Sequence, residues 1–298
     1  MTNTAPVLVV GATGSLGGLV VKRLLERGKQ VRALVRPHSD ASALERAGVE
    51  ITRGDMLDPG SLARAMHGVD ALITTAAGYS RRRKGDSADT DVRGNRNLAD
   101  AAKDAGVRRF VFTSILTCDQ TPNVDHFWNK KLTEEYLAER GVPFVALRPG
   151  AFFEQFASAL PKGRLAWYGA ASTPLSFVLR SDLAQYLAEA VDAANVDGEC
   201  IDIGWSRAVS ATEAAAILSE LMDATVRTRT VPLGLIAAAH RLIGPFNATV
   251  NDMTSMLEWF GTGRFVADAS RQSEVFGPAP MPRQALATFL KGNHNAAV

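Results

Sequence analysis

Residues 6–10 read PVLVV, an apolar run suited to a buried strand, and the eight residues after them read GATGSLGG. An amphipathic pattern, SLGGLVVKRLLERG, begins inside that glycine series. No other junction in the chain restricts the fold as much. Gly11, Gly14 and Gly17 recur every third residue between strand and helix. Gly11 permits a tight turn, Gly14 lets the backbone close on an anion, and Gly17 lets the helix pack against the strand. A helix N-terminus has unpaired N–H groups and the positive end of the dipole, so Thr13, Ser15 and Leu16 add donors where negative charge is already favoured. No Gly-Lys-Ser/Thr follows, which excludes a mononucleotide-kinase loop. The junction predicts a pyrophosphate seat of the kind a dinucleotide needs.

Beyond it, β-rich runs alternate with helical patterns: QVRALVR, DASALERAG, VEITRGD, SLARAMHG, VDALITTAA, a helix over about 89–105, VRRFVFTS, a helix over about 127–140, and VPFVALR. That rhythm predicts an α/β fold with a doubly wound parallel sheet, of Rossmann type, over residues 5–152. The remainder, 153–298, is expected to form a smaller, mainly helical substrate-binding region, with about 175–204 returning to the sheet through LSFVL and ECIDIG. Ser210 and Glu213 stand at capping-box spacing before SATEAAAILSELMD. The apolar stretch LGLIAAAHRLIG, broken by His240 and Arg241 and short of the ~20 residues that span a bilayer, is expected to be a packing helix. GNHNAAV is expected to be a frayed tail.

A formal net charge of +2 is too mild a bias to point to a nucleic-acid or membrane surface, so charge names no partner and neither is expected. Cys118 and Cys200 make neither a redox pair nor a disulfide framework, and MTNTA lacks the pattern of a signal peptide. A cytoplasmic location is therefore expected. His38, His67, His126, His240 and His294 show no metal-ligand spacing, so no metal site is expected. The basic run Arg81, Arg82, Arg83 and Lys84 is expected to be a solvated loop.

At the end of the second strand, where NAD-binding chains place an acid for the ribose 2′-hydroxyl, this chain reads VRALVRPHSD. Arg36 occupies that position, and Asp40 lies too far along. An arginine fork suits a 2′-phosphate, which points to NADP(H).

The segments GATGSLGG, VRALVR, GDMLDPGSLARAMHGVD, AAKDAGVRRFVFTS, HFWNKKLTEEYL and ALRPGAFFEQ together resemble the NmrA-like group of atypical short-chain dehydrogenase/reductases. The resemblance implies that Asp55 and Met56 lie beside the adenine, and that Thr75, Ala76 and Ala77 run along the ribose and pyrophosphate. It places Pro149, Gly150 and Phe152 beside the nicotinamide. Ordinary short-chain dehydrogenases use Tyr-x-x-x-Lys for proton transfer. Here the residues four beyond Tyr79, Tyr136, Tyr168 and Tyr186 are Arg83, Arg140, Ser172 and Ala190. His126 stands instead at the tyrosine register, on one helix face with Lys130. The resemblance assigns Lys130 to the cofactor and the chemistry, with His126 as candidate proton donor. Lys131 competes for that assignment, because Lys130 and Lys131 precede Glu134 and Glu135 by the same interval. Ser114 and Thr117 follow the fifth strand, where a hydroxyl can face cofactor or substrate. Trp128, Phe152, Phe153, Phe156, Trp167 and Tyr168 fit either an apolar pocket or plain core.

The resemblance thus implies an NADPH-dependent reductase acting on a carbonyl or activated alkene of a small, fairly apolar molecule, with room for a homodimer. The alternatives are an NADP(H)-binding sensor or regulator without turnover, and an epimerase or dehydratase.

Overall fold

The computed structural model describes residues 5–78, 87–232, 234, 237, 238, 241, 242 and 248–295. The basic run Arg81–Lys84, most of the expected packing helix and the end of the expected tail lie outside the described residues. The chain divides into two compact units, one of residues 1–148 with 181–201 and one of residues 149–180 with 202–298.

The first unit is built on β1 (Val7–Val10), β2 (Val31–Val35), β3 (Glu50–Arg53), β4 (Ala71–Thr74), β5 (Arg109–Thr113) and β6 (Phe144–Pro149). A later strand, β10 (Glu199–Ile203), completes a seven-stranded sheet in the order β10-β6-β5-β4-β1-β2-β3. All registered pairs from β3 across to β6 are parallel. Strands β1 and β4 are buried along their whole length, which is why VLVV and the ALI of ALIT are continuous apolar runs rather than alternating ones. The strand order reverses between β1 and β4, and a crevice at such a switch point is where doubly wound sheets bind ligands.

Helices α1 (Ser15–Glu26), α2 (Ser42–Arg46), α3 (Pro59–Met66), α4 (Asn95–Asp104) and α5 (Asp125–Arg140) supply the crossovers. Asp58 caps α3 by accepting from the Gly60 N–H at 3.1 Å, with Pro59 at the first position. The core between this helical face and the sheet includes Leu62, Leu98, Phe110, Phe112, Leu137 and Ala146. The returning segment is tied to β5 through Arg109, whose guanidinium meets the Asp197 carboxylate at 2.8 and 3.0 Å. The helix expected over about 89–105 opens instead as a π-helix, Ala88–Gly94, before α4. Periodicity at 3.6 residues does not reveal such a widened turn, and π-turns recur at functional sites.

In the second unit, β7 (Ala151–Phe152) pairs with β9 (Phe177–Val178), and β8 (Arg164–Tyr168) pairs with β11 (Arg227–Val231). Strand β11 is a departure from the mainly helical expectation. Its sequence, RTRTV, is almost entirely exposed, so burial left no apolar signal to read. Helices α6 (Phe153–Phe156), α7 (Arg180–Ala190) and α8 (Ala211–Met222) are followed by helices over Ala248–Gly261, Ser270–Phe276 and Pro282–Asn295. Helix α7 begins in this unit and continues into the first. Ser210 accepts from the Glu213 N–H at 3.2 Å, as the spacing predicts, but the Glu213 carboxylate pairs with Arg207 rather than closing a capping box. Among the described residues no helix is long and apolar enough to cross a membrane.

The aromatic residues that fitted pocket or core separate here. Phe153, Phe156 and Trp167 are buried and pack with Phe177, Trp205 and Phe289, with Phe153 ring centroids 5.2–5.5 Å from Phe177, Trp205 and Phe289. They form the core of the second unit. Phe153→Ala is expected to lower stability by about 3–5 kcal/mol, the usual cost of emptying a packed aromatic site, measured by urea unfolding. A loss below about 1 kcal/mol would return Phe153 to the list of pocket residues.

Candidate dinucleotide site

Over the carboxyl ends of β1, β2 and β4 lies a cavity of about 230 Å³. Its walls bring together Gly11, Thr13 and Gly14 from the first loop, Arg36 after β2, Asp55 and Met56 after β3, and Thr75, Ala76 and Ala77 after β4. Gly54, Leu57 and Thr90 also line it, none of which the sequence singled out. Thr90 sits in the widened π-turn.

The glycine loop is as tight as its sequence demands. Gly11 has φ +88°, and a Cβ there would sit 2.7 Å from Thr75 Oγ1. A Cβ on Gly17 would lie 2.1 Å from the Gly11 carbonyl oxygen. The Gly14 N–H closes the turn on that same oxygen at 2.9 Å. Helix α1 starts with no side-chain cap and no acid in its first turn, so Ser15 and Leu16 head an uncompensated positive dipole end. Gly17 packs behind them, buried. This cradle fits a pyrophosphate: close backbone, free donors and no competing carboxylate.

Each remaining wall is held by its own contacts. Asp55 accepts from the Leu57 N–H at 2.9 Å, and its backbone is clasped by the Ser61 hydroxyl. Asn97 fixes the Met56 carbonyl at 3.0 Å. The Thr75 N–H donates to the Val10 carbonyl at 2.9 Å, tying the β4 loop to β1. Arg36 is exposed on the cavity wall with its guanidinium unpaired among the described residues. Asp40 accepts from the Ser42 N–H at 2.9 Å, so its carboxylate is occupied at the start of α2. Those Ser42 hydrogen bonds, with Arg46 and Arg53 nearby, hold its pKa below the usual carboxylate value.

The two competing lysines differ sharply. Lys130 is buried, with Nζ 2.9 Å from Oδ1 of Asp91, a residue only 1% exposed. The approach lies outside hydrogen-bonding angles, so Coulomb attraction holds the pair. Asp91 also accepts from the Gly78 N–H at 3.2 Å and the Ser87 hydroxyl at 2.8 Å. Lys131 instead pairs with Glu135 one turn on and covers the Trp128 ring at 4.7 Å. His126 lies in the first turn of α5, buried, with its ring edge-on to Phe127 at 4.7 Å.

Glu134 does not pair with Lys130. It accepts from the Ser114 hydroxyl at 2.6 Å and from Arg148 Nε and Nη2 at 3.0 and 2.7 Å, while the Cys118 thiol lies 3.7 Å away. The Ser114 proton is therefore committed to Glu134, and Ser114 is not among the residues lining the cavity. Burial opposes the Arg148 charge, but Glu134 outweighs it and holds the guanidinium pKa above its ordinary value. Burial, with Glu134 beside it, pushes the Cys118 thiol up to about 12, an unreactive thiol. Thr117 adopts a left-handed φ of 58° and is buried. Pro149 ends β6. Gly150 passes so close to Ser176 that a Cβ would meet its carbonyl oxygen at 2.5 Å, and the Phe152 ring lies under the Arg180 guanidinium at 5.2 Å.

Lys130→Met is expected to cost about 3–5 kcal/mol because it strands a buried carboxylate, and Asp91→Asn in the same chain should restore most of it. Lys131→Met is expected to cost less than about 1 kcal/mol. Urea unfolding of the three variants checks this, and equal losses from both lysines would contradict it.

The sequence profile of the NmrA-like family matches residues 3–276. Photosystem II assembly factor Ycf39 of Synechocystis is 29% identical over 295 residues, covering 96% of this chain and 89% of its own. Quinone oxidoreductase 2 of Escherichia coli is 27% identical over 246 residues, covering 80% and 82%. The crystal structure of Citrobacter triphenylmethane reductase complexed with NADP(H) superposes with TM-score 0.77 at 23% identity, covering 95% of this chain and 99% of the other.

Proposed function

The chain belongs to the NmrA-like family, and from that premise we propose that it is an NADPH-dependent oxidoreductase reducing a carbonyl or activated alkene of a small, fairly apolar molecule. The observation that carries the proposal is the cavity itself, where the glycine loop and an Arg36 unpaired among the described residues face the same space and the end of β2 carries that arginine rather than an acid. One relative supports the acceptor class, the Escherichia coli protein named quinone oxidoreductase 2. When bound, NADPH supplies the hydride.

The chain's own residues do the rest. Gly11 to Gly17 seat the pyrophosphate, Asp55 and Met56 flank the adenine, and Thr75 to Ala77 run along the ribose. Pro149, Gly150 and Phe152 flank the nicotinamide. Lys130 acts as a fixed cation that orients the cofactor and stabilises negative charge on the acceptor oxygen. Giving up its proton would leave Asp91 buried without a counter-charge, so the proton comes from His126 or an ordered water. The second reading, a nucleotide-binding assembly or regulatory protein without turnover, is favoured by the match to Ycf39 across nearly the whole chain.

Two outcomes are expected. NADPH binds about ten- to a hundredfold more tightly than NADH, and Arg36→Ala removes the preference, because a charge-assisted hydrogen bond contributes about 1.5–3 kcal/mol. Calorimetry measures both, and equal affinities in the wild type would remove NADP(H) from the proposal. Offered quinones, enones and aromatic ketones, the protein is expected to oxidise NADPH and pass deuterium stereospecifically to the product, whereas Lys130→Met with Asp91→Asn loses most turnover and Lys131→Met keeps it. Absence of transfer across the panel, with tight NADPH binding retained, would favour the second reading.

A further inference from the structure

Arg36 does not stand on a free loop. Residues 36–39, Arg-Pro-His-Ser, form a turn in which the Ser39 N–H donates to the Arg36 carbonyl at 3.0 Å. Pro37 restricts the second position, as suits such a turn. Beside it, at the end of the neighbouring strand, stands Arg53, registered opposite Val35. One of its terminal nitrogens, Nη1, reaches both ends of the turn, donating to the Arg36 carbonyl at 3.2 Å and to the Ser39 carbonyl at 2.7 Å. The next residue is tied in as well, since the Gly54 N–H donates to the Val35 carbonyl at 3.1 Å. Asp40 closes the far side by accepting from the Ser42 N–H, the first of α2, at 2.9 Å.

We propose that Arg53 is a positioning residue for the 2′-phosphate: by bridging the Arg36 and Ser39 carbonyls it pre-sets the turn that presents the Arg36 guanidinium. This rests on the NADP(H) reading above. The physical argument concerns entropy. Arg36, Pro37 and His38 are exposed, and among the described residues the turn's own hydrogen bond and the Arg53 bridge are what order them. A guanidinium on an ordered turn loses less freedom when it engages a phosphate than one on a loose segment, and that difference appears as affinity for the phosphate alone. Placing a second cation beside Arg36 carries a repulsive cost, and the nearby Asp40 carboxylate offsets part of it. Phosphate selectivity is thereby distributed over two strands: β2 carries the contact and β3 carries its support.

The test is a calorimetric double-mutant cycle with NADPH and NADH as probes on the wild type, Arg53→Ala, Arg36→Ala and the double variant. Arg53→Ala is expected to weaken NADPH about tenfold while NADH affinity stays within about twofold. That NADH value also shows that the variant is folded, and merely structural damage would lower both. In the Arg36→Ala background, Arg53→Ala is expected to change the NADPH affinity no further, because its effect passes through Arg36. Three results overturn the proposal. If the two losses add, Arg53 contacts the phosphate on its own account. If Arg53→Ala leaves a selective protein unchanged, the bridge has no role while the cofactor reading stands. If the wild type binds NADPH and NADH equally, the cofactor reading fails and the inference falls with it.

Discussion

The approach of Gly17 to the Gly11 carbonyl, too close to admit a Cβ, is the constraint from which the rest of the nucleotide unit follows. It sets how near α1 packs to β1, and so aims the open N-terminus of the helix into the crevice rather than past it. It also requires the β4 loop to lie against the same turn, because Thr75 occupies the space where a side chain on Gly11 would go. Since β1 and β4 are the strands at which the sheet reverses its order, one local packing condition brings the glycine loop, the end of β2 and the loop after β4 around one cavity. Longer side chains at these glycines would separate elements far apart in sequence.

A second layer of organisation comes from two buried carboxylates, one that meets α5 and one that α5 carries. Asp91 meets Lys130, and Glu134 lies on the helix and reaches Arg148 on β6. Both are costly groups to bury, and each is compensated by a cation and by hydrogen-bond donors. Neighbouring helical positions thus perform different work. Glu134 clamps the helix to the sheet and consumes the Ser114 hydroxyl, while Lys130 is held by an element that also lends Thr90 to the cavity.

How much of this could be read beforehand depended on sequence distance. The glycine loop was legible because its logic is local: strand, turn and helix follow one another, and Arg36 comes at a fixed interval after them. The lysine register was not, since the helix pattern offers Glu134 and Glu135 equally to Lys130 and Lys131. Only the fold reveals that a residue 39 positions earlier, Asp91, takes one of them. The aromatic run after LRPG was equally ambiguous, because a buried ring has the same sequence signature whether it lines a cavity or fills a core. Strand β11 escaped for the opposite reason, being too exposed to carry an apolar pattern. Arg53 carried no signal at all, as its partners are backbone carbonyls, which any sequence supplies.

That last point bears on how a nucleotide site of this kind acquires selectivity. A residue that touches the ligand can be recognised by its chemistry, since a guanidinium suits a phosphate wherever it stands. A residue that orders a turn can be recognised only by geometry, because its contribution lies in freedom the binding loop no longer has to lose. Arg36 alone would supply the contact on a flexible segment. With Arg53 across both ends of the turn, the proposed contact would be made from an ordered start, and NADH, which lacks the phosphate, would gain nothing from that order. Selectivity can therefore change through a substitution on β3 that leaves every expected cofactor contact in place.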